Sequence, residues 1–346
     1  MKIEESISLN YKKSKNKSLV HLGIILGLIL LLILVMIFSV MNGVADISIS
    51  GALDSIFNFN PENEDHLVIM NLRFPRVLAS MLIGAALSVS GALMQGVTRN
   101  PLADSGLMGL NAGSGFAIAI CFAFFPGMSP LQIVIFSFLG AALGAGIVYG
   151  IGAMVPGEIT PIRLVLSGAA VSTLLTALSQ GIAIYFKMTQ NIMFWTLGNV
   201  AGVNWTQIKI VFPIIIVALI GSLIISRSVS LISLGEEVAR GLGVNTFIIK
   251  LAATVIILLL AGTSVAVAGA IGFVGMIVPH LSRYIVGQNY RRIIPVSALI
   301  GSLLMVVSDL LSRMIKPPFE IPIGAIISLI GVPIFLYLAR KQKGAL

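Results

Sequence analysis

Ser233-Leu234-Gly235-Glu236-Glu237-Val238-Ala239-Arg240-Gly241-Leu242-Gly243 is a polar island in an apolar chain. It reads as a short helix bracketed by glycines that can start and stop it. Glu236 and Glu237 fall in the first turn and Arg240 near the end, which matches the helix dipole. Small Ala239 and Gly243 beside Leu242 give a low-relief surface for another protein's groove. A helix lying flat on lipid is the competing account; this segment is too short for that and lacks a basic face.

Other residues carry charge or polarity where it needs a reason. Arg73 and Arg76 flank Phe74-Pro75, and Arg313 precedes Lys316. Arginine grips a carboxylate through a two-pronged fork, so these positions suit an acidic partner or anionic solute; anchoring to lipid headgroups is the ordinary alternative. Asp309 is the one acid well inside an apolar run, and pairing with Arg313 one helical turn on accounts for it better than a proton relay does. Gly84, Ser88, Gly91 and Gln95 recur at spacings that put all four on one helical face. Close helix packing explains the glycines, and a water-lined passage is the alternative; Gln95 is expected to face water. Thr98-Arg99-Asn100-Pro101-Leu102-Ala103-Asp104 forms a tight turn between two apolar runs, or a constriction that closes a pathway.

These residues sit in a chain of 346 residues, 57% hydrophobic and 10% charged, with mean hydropathy +1.04. Soluble domains carry about 25% charged residues, so the composition excludes soluble domains. One cysteine, Cys121, excludes a disulfide framework or a cysteine metal cage, and His21, His66 and His280 are too scattered to suggest a local metal site. No G-x-x-x-x-G-K-[ST] phosphate loop occurs, so ATP chemistry is expected elsewhere and the chain itself is not an enzyme. No cofactor and no nucleic-acid partner is expected.

Apolar runs at about 19–41, 74–96, 103–125, 130–154, 161–186, 206–226, 246–268, 271–286, 293–312 and 321–339 predict an all-α polytopic membrane protein with ten spans. The run at 271–286 is too short for a plain crossing helix. The first run is too long for a signal-peptide core and reads as an uncleaved span. With the N-terminus inside, only Arg73, Arg76, Lys187, Lys209, Arg313 and Lys316 of the 22 basic residues fall outside. The positive-inside rule then places both ends in the cytoplasm. The layout is a tail at 1–18, one membrane domain at 19–340 and a second tail at 341–346, with the polar island between the sixth and seventh spans.

Several motifs, in order, resemble one family. Arg73-Phe74-Pro75-Arg76, Gly84-Ala85-Ala86-Leu87, Ser90-Gly91, Gln95 and Arg99-Asn100-Pro101-Leu102-Ala103 come first. Leu234-Gly235-Glu236, Ala239 and Leu242-Gly243 follow, then Gly272 to Leu281 with Arg283, then Pro295, Asp309, Arg313, Glu320 to Gly324 and Gly331 to Pro333. Over about 20–340 the chain resembles the permease subunits of ABC importers for iron-siderophore, haem and cobalamin.

The resemblance implies a bacterial cytoplasmic-membrane protein that pairs with a second permease subunit, identical or paralogous, around a central pathway. It implies two cytoplasmic ATPase subunits, an extracytoplasmic solute-binding lipoprotein, and a ferric siderophore as cargo, hydroxamates such as ferrichrome first; haem or cobalamin is the alternative, and an ion-coupled carrier a more distant one. By position, Leu234, Gly235, Glu236, Glu237, Ala239, Arg240, Leu242 and Gly243 match the helix that couples to the ATPase. Arg73, Arg76 and Arg313 match the arginines that receive the binding protein. Asn100 and Leu102 match a cytoplasmic gate. Pro161 and Ile162 stand where a second gate is found, and Gly84, Ser88, Gly91 and Gln95 are assigned to the pathway. No metal ligand is expected.

Overall fold

The computed structural model describes residues 2–43, 51, 54–55, 57–104, 106, 109–154, 161–317 and 319–343, with backbone alone at 2–18, 161–162, 191, 194, 338–339 and 341–343. Among the described residues all regular structure is helical. The order is α1 (Lys2–Met41), α2 (Glu64–Val68), a π-helical turn (Ile69–Arg73), α3 (Phe74–Thr98), α4 (Leu110–Phe124), α5 (Pro130–Met154) and α6 (Pro161–Tyr185). It continues with α7 (Thr189–Thr196), α8 (Trp205–Leu234), α9 (Glu236–Gly241), α10 (Thr246–Ala268), α11 (Val274–Val286), α12 (Tyr290–Met314) and α13 (Ile323–Lys343).

Seven helices among the described residues are long and apolar enough to cross a membrane, and Leu110–Phe124 and Ile323–Tyr337 are shorter apolar helices. Their starts follow local chemistry. Asn204, Asn245 and Asn289 cap α8, α10 and α12 by accepting from backbone N–H groups of the first turn, which satisfies donors that a helix leaves open. The third apolar run starts later than expected, at Leu110, because polar side chains take over the preceding backbone. Asn100 Oδ1 accepts from Leu102 N at 3.0 Å and Asp104 Oδ1 from Gly106 N at 2.9 Å. Such local bonds compete with helix formation.

α3 is the axle of the molecule. It packs against α8, α10, α11 and α12, and α12 lies along it most extensively. A second group, α4, α5 and α6, packs together and meets the first through α10. α1 leans on α12 and leaves most of its leucines exposed, as suits a surface facing lipid. α11 has 13 residues, a rise of about 20 Å against a hydrocarbon core of about 30 Å. It begins inside the bundle after an irregular stretch, as the short eighth run implied. Backbone outside a helix is tolerated at such depth only where protein buries it; Ala268, Gly269 and Ile271 are all buried.

Candidate functional site

At one end of the bundle, α9 forms a small foot. Gly235, at φ 140° and ψ 141°, breaks α8 from α9, and Gly243 at φ 80° turns the chain back toward α10. Non-glycine residues resist that left-handed backbone. Glu236 holds the foot to the bundle: it accepts a hydrogen bond from Lys250 of α10 and pairs with Arg240 at 3.5 Å. The Lys250 hydrogen bond and the charges of Lys250, Arg240 and Arg99 hold its carboxyl below the usual glutamate range, against the upward push of burial. Arg240 Nε also donates to Thr246 Oγ1 at 3.3 Å.

Leu234, Val238 and Leu242, four residues apart, are 70%, 49% and 62% exposed, and Glu237 is exposed beside them. The foot therefore presents an apolar knob. The expected low-relief surface needs correction at one residue: Ala239 is fully buried and packs inward, so it seats the foot instead of forming its outer face.

The Arg99 turn lies close enough to feel Glu236. Arg99 caps α3 at φ 52°, and Ala103 N bonds Asn100 O at 3.1 Å, so Asn100 and Leu102 sit half-buried on a rigid turn. Gln95, one turn before the end of α3, is 2% exposed, and this corrects its expected water-facing position. Its Nε2 donates toward Gly275 O, Met276 O and Ala103 O at 3.1, 3.2 and 3.3 Å, and its Oε1 accepts from Arg283.

The rest of that face is also filled. A Cβ on Gly84 would stand 2.2 Å from Gly301 O, and one on Gly91 1.9 Å from Gly275 O. Ser88 Oγ donates to Ser297 O at 2.7 Å. Gly84, Ser88, Gly91 and Gln95 thus form a seam between α3 and the α11–α12 pair. Helices can approach this closely only through small residues. Within this chain the face assigned to a passage is therefore occupied by α11 and α12.

At the opposite end the three arginines point into the protein. Arg73 Nη1 donates to Val40 O and Met41 O at 2.9 and 2.8 Å, closing the end of α1. Arg313 donates to Ser39 Oγ at 2.7 Å and Asn42 O at 3.0 Å, and lies 3.1 Å from Asp309 Oδ2. Arg76 reaches Asp309 Oδ1 through Nε at 2.7 Å and both oxygens of Glu320 at 2.7 and 3.1 Å. All three are buried. The Asp309–Arg313 pairing is present, and Arg76 makes it a triad. Each of these three guanidinium groups, matched by resemblance to docking arginines, already has partners within this chain.

Sequence reasoning singled out only Pro161 and Ile162 at the start of α6 and passed over the rest of it. Ala169, Thr173, Thr176 and Gln180 repeat the same four-three-four spacing, and all four are exposed. Ala170, Leu174, Leu178 and Gly181 form a separate exposed apolar stripe about 100° around the helix. The side chains of Pro161 and Ile162, at the start of α6, lie outside the described residues. The 169–180 spacing was readable in the sequence; that this face is left open was not.

Comparison with known proteins agrees with this architecture. The chain is 46% identical over 308 residues to the iron(3+)-hydroxamate import system permease protein FhuB of Bacillus subtilis, covering 89% of this chain and 80% of that one. It is 34% identical to the ferric enterobactin transport system permease protein FepD of Escherichia coli, covering 88% and 91%. A solved structure described as an inward-facing metal-chelate type ABC transporter superposes with TM-score 0.79 at 30% identity, covering 92% of this chain and 99% of that one. Residues 30–341 match the FecCD transport family, and with its helical membrane architecture the chain belongs to that family.

Proposed function

We propose that the chain is the permease subunit of an ATP-driven importer carrying a ferric siderophore, with hydroxamate chelates first, since that is the cargo named for the relative at 46% identity. The observation that carries the reading is the foot. Leu234, Val238 and Leu242 stand out on and to either side of a six-residue helix fixed to the bundle through Glu236 and Lys250. An exposed apolar knob with a polar rim is what a partner's pocket takes, and a cytoplasmic ATPase is the partner a chain without a phosphate loop requires.

In this reading the seven long spans, with α4, α11 and α13, make the ten, and the basic residues set both ends in the cytoplasm. A second copy or a paralogue completes the pathway. Because the α3 seam is packed, the pathway falls to α6: polar Thr173, Thr176 and Gln180 are costly against lipid and suit a wet corridor. Asn100 and Leu102, and Pro161 and Ile162, stand at its cytoplasmic mouth. On the outer side an acidic binding protein meets Arg76, whose partner Glu320 is open to exchange, while Arg73 and Arg313 brace the site.

The test is uptake of a ferric hydroxamate into proteoliposomes, with and without the ATPase and binding protein. Uptake that requires both supports the reading. Accumulation driven by a proton gradient through the permease alone overturns it. Leucine at Thr176 and Gln180 should lower transport without reducing complex assembly.

A further inference from the structure

We propose that Gln95 and Arg283 are positioning residues that carry movement of the foot to the turn at 99–104. The proposal rests on the importer reading above and deepens it.

A continuous set of contacts joins the two places. The foot continues directly from α8, whose last turns hold Ser230. Tyr290 N, at the start of α12, donates to Ser230 Oγ at 3.0 Å. The Tyr290 ring covers Gly96, where a Cβ would stand 2.8 Å from Cζ, and its hydroxyl meets Arg283. Arg283 donates to Gln95 Oε1, and Gln95 Nε2 reaches the turn at Ala103 O.

Two features mark this contact as having a second arrangement. The Gln95 amide has two N–H bonds and three carbonyls within 3.1–3.3 Å, so one hydrogen is shared between acceptors. Arg283 Nη1 is buried and makes no hydrogen bond among the described residues. A buried N–H without an acceptor is costly, and a second state that supplied the missing partner would relieve that cost.

The seam decides which bond breaks. Gly91 lies directly on Gly275, so α3 and α11 keep their spacing, and Gly275 O and Met276 O stay with Gln95. The Ala103 bond, longest of the three, is the one free to open. Arg283 holds Oε1 and so keeps Nε2 turned to the carbonyls; when the foot shifts α8 and Tyr290, this hold loosens and the turn is released.

The test uses the assembled complex in proteoliposomes and reads ferric-hydroxamate uptake per ATP hydrolysed. Gln95→Glu keeps a partner for Arg283 but removes both N–H donors. Uptake per ATP should fall at least tenfold while stimulation of the ATPase by loaded binding protein persists. Arg283→Lys, which keeps the charge, should show a smaller loss of the same kind, and the double variant should be less than additive. Should Gln95→Glu fail to assemble, Arg283→Lys alone carries the test. Wild-type uptake per ATP in an assembled variant overturns the proposal, and so does a parallel loss of ATPase stimulation and uptake in an assembled variant. Failure of the importer reading itself shows separately, as a wild-type complex that does not import.

Discussion

Arg76 grips Glu320 with both arms of its guanidinium, at 2.7 and 3.1 Å, while its Nε holds the fully buried Asp309. One partner is permanent and the other is open to water, since Glu320 retains 30% of its side-chain exposure. The outer fork is therefore already satisfied by an acid of the chain itself.

Removing that internal competitor should help an external one. Glu320→Gln should tighten binding of the acidic solute-binding protein several-fold at low salt, and the gain should shrink as salt rises. Affinity measured by biolayer interferometry over a salt series checks this; unchanged or weaker binding removes Arg76 from the docking role.

The seam predicts a contrast between glycines. Gly91→Ala places a methyl group where Gly275 O now sits, at 1.9 Å, whereas Gly146 has nothing within 4 Å of the same position. Overpacking of this kind costs about 1–3 kcal/mol or more. Gly91→Ala should lower the melting temperature and yield of the detergent-purified protein, and Gly146→Ala should leave both near wild type.

Charge on the knob should break coupling and leave the fold intact. Val238→Asp and Leu242→Asp alter exposed side chains, so thermal stability should stay within about 0.5 kcal/mol of wild type. ATPase binding in pull-down, and uptake with it, should fall at least tenfold. Normal uptake in either variant would show that the foot is not the contact.

The Glu236–Lys250 tie has a pH signature. Because the folded carboxyl lies below its ordinary value, its contribution is complete above the unfolded value of about 4.3. It fades only as pH falls through the lower folded value. Proteolysis at 235–245 should stay slow down to about pH 4.3 and quicken in more acid solution; Glu236→Gln should be cut readily at neutral pH.

Much of this molecule is written in local pattern. Asparagine caps, proline positions and apolar runs mark the helices because those signals act within a few residues. The glycine-flanked foot was readable for the same reason. What escaped was burial. Gly84, Ser88, Gly91 and Gln95 and, on α6, Ala169, Thr173, Thr176 and Gln180 share one spacing, yet the first set is packed and the second open. Only the neighbours of each helix decide that, and they come from α11 and α12, some 200 residues along the chain. The inward turn of Arg73, Arg76 and Arg313 was hidden likewise, since their acceptors at Ser39 to Asn42 and at Glu320 are remote in sequence. Lys250, fourteen residues from Glu236, carried no signal at all.

The glycine contacts of α3 with α11 and α12 leave no slack for sliding. Where backbone meets backbone, at Gly84 with Gly301 and Gly91 with Gly275, those helices form a tight frame against which lighter parts can turn. A working cycle is then expected to move what lies outside those contacts: α6 with its neighbours α4 and α5, and, at the frame's edge, the foot with the end of α8 and Tyr290. The expectation is a permease that gates by swinging a peripheral leaf past a post, and the post is made of glycine.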